Sequence, residues 1–495
     1  MSKKIILCFD GTCNDPEDAD QDRNLRGEVK DANITNILKL HLLLGGGLKN
    51  DAPPAIPNQQ SFYFQGVGTY GGIFHRFIDM TIAPKKSDVR HIIHEARDTL
   101  KAVYQPGDQI YLFGFSRGAA IARRFAAIVG KEYIPELNKP NAIRFLGLFD
   151  TVASIGKPHL NLTEYPDDEV VFEDNKVSNV VEEALHMLSM DDRRILFFPT
   201  LMRADPRVTE VWFAGAHSDI GGGYYRDGLS DITLNFLIDE LQRRGLGLQV
   251  RKPEEIDYDT ADMQQVGLQL DDVAIDPNPL DKSHQQKLIE HRTVKVDGDA
   301  RPLVHESAVQ RIHGYVGYRP VALKNVAHCI VNGQCQVIGQ ASGLQDHVTA
   351  AEQAAKPLAV GESKEITVES PLLFNRGYVE VQSGETYRFT IDPTQKWQDG
   401  GIPCGPDGWR LSDPDVELGL KEIPIALSQP FRRNPDADWF EVVGVVGDEE
   451  GEKVRPLTAG DWKPQTSGEL LLFANDLESF YGNNSGQIKV TIKRV

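Results

Sequence analysis

Residues 1 to about 325 alternate short apolar segments with longer amphipathic ones, and this alternation leaves few possible folds. Apolar residues recur with the 3.6-residue period of a helix in the longer segments, for example at Ile34, Ile37, Leu38 and Leu42. Strands that are buried on both faces and separated by helices predict an open, mostly parallel α/β sheet. The strand candidates are short and rich in β-branched or aromatic residues: Ile5–Phe9, Ser61–Gln65, Gln109–Gly114, Ile143–Phe149 and Val211–Gly215.

The pattern changes after about residue 325, and we divide the chain into three parts. We assign residues 1–325 to the α/β domain, residues 326–361 to a linker or covering segment, and residues 362–495 to a second domain. In this last part apolar and polar residues alternate between many turns, as in Tyr387–Ile391 and Gln487–Ile492. A period of two residues predicts an all-β sandwich.

Composition excludes several classes of function. The chain of 495 residues has 53 basic and 72 acidic side chains and a net charge of −19, so no basic excess is available to bind nucleic acid. No run of about 18 apolar residues occurs, and we therefore expect no transmembrane segment. The apolar start ends at Asp10, which indicates a strand and not a signal peptide. Five scattered cysteines form neither a disulfide framework nor paired metal ligands, so we expect synthesis in the cytoplasm.

Ser116 is the candidate nucleophile. It lies in Gly114-Phe115-Ser116-Arg117-Gly118, a G-x-S-x-G motif that follows an apolar strand and precedes a helical pattern. A serine on a sharp turn between strand and helix is presented to substrate, and N–H groups at the helix N-terminus face the developing oxyanion. The backbone of Arg117 and that of Gly11 or Thr12, after the first strand, are candidate oxyanion donors. The alternative is a glycine-rich turn with a capping serine.

A serine nucleophile needs a base and an acid that orients it. In such folds the chain order is serine, acid, histidine. The Val211 strand counts as the second after the nucleophile strand, where the acid usually lies, so we favour Asp219 as acid and His305 as base. The alternative pairs His217 as base with Asp150, at the end of the Ile143 strand. A structural role for His217 in its glycine-rich loop is a third interpretation.

Seven motifs in series resemble the α/β-hydrolase domain of type VI secretion phospholipase effectors. They are Phe9-Asp10-Gly11-Thr12, Gly66-Val67-Gly68-Thr69, Gly114-Phe115-Ser116-Arg117-Gly118-Ala119, Phe149-Asp150-Thr151-Val152, the segment from Gly215 to Tyr224, His305-Glu306-Ser307 and Tyr318-Arg319-Pro320. The resemblance covers about residues 1–325. It implies an α/β-hydrolase fold and a Ser–Asp–His lipase or phospholipase. It also implies export by a dedicated machine, with a secretion carrier and an immunity protein as partners.

Two apolar segments could cover a lipase site. Residues 70–84 and residues 178–202 each carry many large apolar side chains. Each segment could form a lid or cap. The alternative for each is ordinary core packing of a connecting helix.

A loop near the end of the chain, from Asn475 to Gly486, is rich in the oxygen-bearing side chains that calcium prefers. Together with Pro393-Thr394-Gln395-Lys396-Trp397 it resembles the calcium site of the bacterial galactose-binding lectins, over about residues 362–495. The resemblance implies sugar contacts at Pro406 and Asp407, although Gly405 replaces the family's sugar-contacting histidine. It implies calcium ligation by the side chains of Asp476, Asn483 and Asn484 and the carbonyls of Ile391 and Phe480.

The sequence therefore predicts an exported ester hydrolase whose lectin-like domain targets it, with calcium, to a galactose-type glycan. No cofactor is expected for catalysis. Two alternatives stay open. One is a non-catalytic carbohydrate-binding protein on a hydrolase scaffold, and the other is a carbohydrate esterase that acts on an acylated sugar.

Overall fold

The described part of the chain contains one large sheet with helices and a second set of β-sheets. A computed structural model describes residues 2–11, 20–23, 29–32, 34–47, 53–66, 86–153, 175–194, 197–224, 227–256, 273–281, 283, 291–414, 416, 425, 428–448, 450–477, 481 and 484–495. Within these residues, no helix is both long enough and apolar enough to cross a membrane.

The large sheet has nine strands among the described residues, in the order β11-β10-β9-β8-β7-β6-β5-β1-β4. Every neighbouring pair is parallel except β10 and β11. A separate antiparallel ribbon joins β2 to β3. The strands are β1 (Lys4–Phe9), β2 (Asp20–Arg23), β3 (Val29–Ala32), β4 (Gln59–Phe64), β5 (Gln109–Phe115), β6 (Ile143–Phe149), β7 (Ala184–Ser189), β8 (Val208–Phe213), β9 (Leu303–His305), β10 (His328–Val331) and β11 (Val337–Ala341).

Helices cover both faces of this sheet. The side chains of β1 alternate between two apolar clusters: Ile6 and Cys8 pack with α1 and α5, and Leu7 packs with α2 and α3 on the other face. This double burial explains why the strands are apolar throughout and confirms the mostly parallel sheet with helices. The helices are α1 (Asn36–Leu43), α2 (Lys86–Val103), α3 (Ser116–Ile128), α4 (Ser218–Gly221), α5 (Gly228–Arg243), α6 (Glu306–Gly314) and α7 (Leu344–Glu352).

Two segments differ from the expectation. Residues 184–189 form β7, a fully buried strand between β6 and β8, so this part of the 178–202 segment is core and not a lid. The segment 326–361 contains β10, β11, α7 and a short strand at Lys356–Pro357, and β10 and β11 extend the large sheet at one edge. The other lid candidate, residues 70–84, lies outside the described residues.

The last part of the chain is all-β, as predicted. One sheet has the order β12-β14-β21-β18-β19, and the other has the order β17-β16-β22-β15-β20, with β13 paired to β22. Apolar side chains from both sheets, such as Val379 from the first and Val490 from the second, belong to one buried cluster. The strands are β12 (Lys356–Pro357), β13 (Ser363–Glu369), β14 (Asn375–Val381), β15 (Tyr387–Ile391), β16 (Trp397–Asp399), β17 (Ile402–Cys404), β18 (Val442–Val446), β19 (Lys453–Val454), β20 (Asp461–Trp462), β21 (Gly468–Ala474) and β22 (Asn484–Arg494).

Candidate active site

Ser116 lies on the sharp turn at which β5 passes directly into α3. Its φ of 57° is in the left-handed region, which is uncommon for a residue with a side chain. The motif glycines are required by close contacts. A Cβ at Gly114 would lie 2.6 Å from the Cα of Ala119, and a Cβ at Gly118 would lie 2.2 Å from the carbonyl oxygen of Phe9. The sequence therefore forms the strained turn that a nucleophilic serine needs.

His217 joins Ser116 to Asp150 through two short hydrogen bonds. Its Nε2 lies 2.8 Å from the Ser116 hydroxyl oxygen, and its Nδ1 lies 2.6 Å from Oδ2 of Asp150. All three residues are buried. Because the ionised carboxylate can only accept, Nδ1 carries the proton and Nε2 is left to accept the serine hydroxyl proton. This is the hydrogen-bond pattern of a nucleophile, a base and an orienting acid.

The Asp150 carboxylate is held by a buried arginine. Arg292 donates to Oδ1 at 2.8 Å and to Oδ2 at 3.0 Å, and the backbone N–H of Ser189 donates to Oδ1 at 3.0 Å. Burial acts to raise the pKa of Asp150, but the charges and hydrogen bonds of Arg292 and His217 outweigh it and hold that pKa below its usual value. Asp150 therefore stays ionised and oriented beside the imidazole.

The imidazole of His217 is enclosed by aromatic rings. The ring centroids of Phe115 and Phe197 lie 4.7 and 4.9 Å from it, and its backbone N–H donates to Asp192 at 3.1 Å. Burial lowers the pKa of His217, and the hydrogen bond to Asp150 opposes this effect only in part. The imidazole is therefore neutral, and able to act as a base, at a pH below the ordinary histidine range.

The candidate oxyanion donors lie beside the nucleophile turn. Arg117 follows Ser116 in the first turn of α3, where backbone N–H groups point towards the N-terminal end of the helix. The loop after β1 packs against the same turn, as the contact of Gly118 with Phe9 shows. In that loop the Gly11 N–H donates to the side chain of Asp10 at 2.6 Å. Thr12 lies outside the described residues.

Asp219 and His305, the pair that we favoured from the sequence, are not placed beside Ser116. Asp219 accepts hydrogen bonds from the Ala216 N–H at 2.8 Å and from Ser283 at 2.9 Å, at the turn after β8. The ring of His305 stacks on Phe213 at 4.6 Å, and its Nδ1 lies 2.9 Å from the hydroxyl of Ser307. The physical reason is β7, because this extra strand makes β8 the third strand after β5. The residue that contacts Ser116 from the loop after β8 is therefore His217.

Three buried residues of the site, Arg292, His186 and Glu210, had no recognisable motif. Nε2 of His186 accepts from the Thr151 N–H at 3.0 Å, and its Nδ1 lies 2.9 Å from Glu210. This pair fixes the backbone next to Asp150, whose φ of 37° is also in the left-handed region. In the sequence, the one sign of this buried pair is a histidine, His186, inside the apolar segment 184–189.

The C-terminal domain brings carboxylates and an amide together near the start of β22. Asp399 pairs with Asn484 in the register of β16 and β22, and the Asn484 amide donates to Asp476 at 3.1 Å. Burial and the nearby Asp476 raise the pKa of Asp399 to about 7. Such a donor set fits a hard cation. Among the described residues no group of three His, Cys, Asp or Glu side chains could hold a metal.

The remaining candidates of this domain are only partly described. Phe480 and Asn483 lie outside the described residues. Ile391 ends β15, and Asp407 is exposed next to the buried Pro406. A Cβ at Gly405 would lie 2.6 Å from a carboxylate oxygen of Asp407, so a larger residue there would displace that side chain.

Comparison with known proteins relates the first half of the chain to phospholipases. The chain is 29% identical over 263 residues to the uncharacterized protein YEL023C of Saccharomyces cerevisiae, a stretch that covers 42% of this chain and 34% of that protein. The chain thus spans about a third of the length of this relative. Residues 3–132 and 134–240 match the family model of the catalytic domain of Tle1-like phospholipase effectors of type VI secretion.

Three solved structures are also similar. An uncharacterized protein from Pseudomonas aeruginosa is 19% identical, with a TM-score of 0.32 and coverage of 54% of this chain and 48% of that one. The Tle1 effector bound to the VgrG spike is 22% identical, with a TM-score of 0.28 and coverage of 46% and 52%. The N-terminal domain of EclA, a PllA-like lectin, is 20% identical, with a TM-score of 0.18 and coverage of 27% and 95%. The residues matched by the phospholipase catalytic-domain model include Ser116, Asp150 and His217.

Proposed function

We propose that this protein is a serine hydrolase of the lipase or phospholipase type, in which Ser116 is the nucleophile, His217 the base and Asp150 the acid. The observation that carries the proposal is the pair of hydrogen bonds, 2.8 and 2.6 Å long, that joins the three side chains at the ends of parallel strands. The match of residues 3–240 to a phospholipase catalytic domain supports a lipid ester as substrate. Catalysis of this type needs no cofactor.

The reaction proceeds through an acyl-enzyme. The Ser116 hydroxyl attacks the ester carbonyl while Nε2 of His217 takes its proton, and the imidazolium then protonates the leaving alcohol. Asp150 stabilises that imidazolium through the 2.6 Å contact. Water, deprotonated by the same Nε2, then releases the fatty acid. The Arg117 N–H and an N–H of the loop at Gly11 and Thr12 stabilise the oxyanion.

The C-terminal domain serves targeting in this proposal. Asp476 and Asn484, with Asn483 and the carbonyls of Ile391 and Phe480, bind calcium, and the sugar lies against Pro406 and Asp407. The support is the buried contact of Asp476 with Asn484 beside a second carboxylate. The ligand is a galactose-type glycan on the target surface. Delivery is by a dedicated secretion machine with a carrier protein, and an immunity protein protects the producing cell.

The test compares fatty-acid release by purified variants. Ser116→Ala and His217→Gln should each lower kcat on p-nitrophenyl butyrate by at least about 10³-fold. His305→Gln is the matched control, because it removes an equally buried imidazole and should keep kcat within about threefold of wild type. An inactive His305→Gln beside an active His217→Gln would refute the triad. Release of fatty acid from phospholipid vesicles, compared with deacylation of an acetylated sugar, separates the phospholipase from the carbohydrate esterase.

A further inference from the structure

A small polar cavity is lined in part by the segments that carry Asp192 and Arg292. Its volume is about 90 Å³, and basic side chains from three separate segments, Arg193, His291 and Arg319, line it. That volume holds several water molecules, since each needs roughly 10–15 Å³ of such space. Sites for drug-sized ligands measure roughly 300–1,000 Å³. The cavity therefore fits one small polar group and excludes an acyl chain.

These basic side chains form no ion pair within the described part of the chain. Arg319 donates only to backbone carbonyls, of Tyr318 at 2.9 Å and of Ile312 at 3.4 Å. Neither Arg193 nor His291 forms an ion pair there with a described carboxylate. The chain has a net charge of −19, yet its described residues form no ion pair with the two arginines of this cavity. Its field attracts an anion.

The acidic residue in the cavity wall does not cancel this charge. Asp191 is buried, and its Oδ2 accepts from the Tyr318 hydroxyl at 2.6 Å and from the Gly215 N–H at 2.7 Å. Burial raises the pKa of Asp191 to about 6. One carboxylate does not balance two arginines, so the cavity keeps a positive net charge.

Two residues of the cavity are direct chain neighbours of residues that hold the triad. Asp191 precedes Asp192, which accepts the backbone N–H of His217. His291 precedes Arg292, which holds the carboxylate of Asp150. The cavity is therefore lined by residues next in sequence to those that hold His217 and Asp150.

We propose that this cavity binds the phosphate of the lipid headgroup while the acyl ester lies at Ser116. The inference rests on the proposed phospholipase function and makes it more specific. A phosphate has the size and the charge that the cavity accepts, and arginine binds it through paired N–H donors. The cavity thus selects phospholipids over neutral glycerides that carry the same ester bonds.

The test uses two substrates that carry the same ester bonds and differ only in the phosphoethanolamine headgroup. In mixed micelles, the ratio of kcat/KM for phosphatidylethanolamine to that for diacylglycerol should fall about tenfold in Arg193→Gln, mainly through KM. Arg193 is partly exposed, so the variant should fold, and equal melting temperatures check this. Lys324→Gln is the matched control, since it removes one charge from an exposed residue near the cavity that does not line it. Its ratio should stay that of wild type.

A second experiment measures phosphate binding directly, by calorimetric titration of full-length Ser116→Ala with inorganic phosphate. Binding that Arg193→Gln weakens about tenfold, together with the change in substrate ratio, supports the proposal. Weakened phosphate binding with an unchanged ratio identifies a site for free phosphate and overturns the headgroup role. An unchanged ratio with no phosphate binding overturns the cavity as an anion site. If wild-type protein hydrolyses no ester, the proposed function fails, and the titration alone then decides whether the cavity binds an anion.

Discussion

The substitution Asp150→Asn tests the charge on which the proposed mechanism depends. The side chain keeps its size, and an amide can still accept from the Ser189 N–H. It loses the negative charge that faces Nδ1 of His217 at 2.6 Å, in a position with no exposure to solvent. Asp150 orients the neutral imidazole in the resting enzyme, and its charge stabilises the imidazole most strongly when that ring becomes positively charged. The effect should therefore appear in kcat.

The magnitude follows from the geometry. With the two charge centres about 4 Å apart and an effective dielectric constant of about 20, the attraction is about 4 kcal/mol. Since 1.4 kcal/mol corresponds to a factor of ten, kcat should fall by about 10³-fold. The same two charges at the surface, in water, would attract each other by only about 1 kcal/mol. The size of the decrease in kcat therefore shows whether the charges of His217 and Asp150 interact in a buried environment.

Arg292→Gln controls for the loss of stability. Both substitutions break the buried ion pair between Arg292 and Asp150 and should cost about 3–5 kcal/mol of unfolding free energy. Only Asp150→Asn also removes the charge beside His217. Assayed on p-nitrophenyl butyrate well below both melting temperatures, Asp150→Asn should be at least about tenfold slower than Arg292→Gln.

The pH dependence of kcat/KM gives a second, independent test of the role of Asp150. In wild type the hydrogen bond from His217 to Asp150 raises the pKa of the imidazole, against the lowering effect of burial. Removing the carboxylate removes the largest effect that opposes burial, so the acid limb of the kcat/KM profile should move to lower pH. An acid limb that moves to higher pH, or a kcat within tenfold of wild type, would refute the assignment of Asp150.

Three further predictions concern other residues. A Cβ at Gly118 would overlap backbone oxygens, so Gly118→Ala should lower both Tm and activity, whereas Gly401→Ala, with nothing within 4 Å, should leave both unchanged. Burial lowers the pKa of His305 to about 3, so the unfolding free energy should fall by about 1.4 kcal/mol per pH unit as the pH drops below 6.5. Urea titrations at several pH values should show a weaker dependence of unfolding free energy on pH in His305→Phe. Millimolar calcium should raise the Tm of the full chain, and less so in Asp476→Asn; an unchanged wild-type Tm contradicts the metal site.

The nucleophile turn was predictable because its constraints are local. Gly114, Ser116 and Gly118 need only the strand before them and the helix after them, and the sequence shows both. The same holds for β6, whose apolar run ends directly at Asp150. Local patterns were thus sufficient to find both residues, although they did not show which acid belongs to the serine.

The partner of Ser116 depended on counting strands, and there the sequence was ambiguous. The β7 segment is short and apolar, and its apolar residues continue a spacing that suits a helix as well as a strand. Without β7, β8 counts as the second strand after β5, and the acid is then expected at Asp219. In the structure the carboxylate that contacts His217 is that of Asp150. Arg292 could not be found at all, because it meets Asp150 across 142 residues of sequence and no motif surrounds it.

The backbone at the site favours a working enzyme over an inert scaffold. Ser116 and Asp150 end adjacent parallel strands, and both adopt left-handed conformations that cost roughly 1–3 kcal/mol each. A buried arginine and the pair of His186 and Glu210 hold the second of these turns. A carbohydrate-binding protein would gain nothing from two strained turns and a buried ion pair, since ordinary apolar side chains would pack this edge at lower cost. What the arrangement does provide is one imidazole fixed between a hydroxyl and a carboxylate.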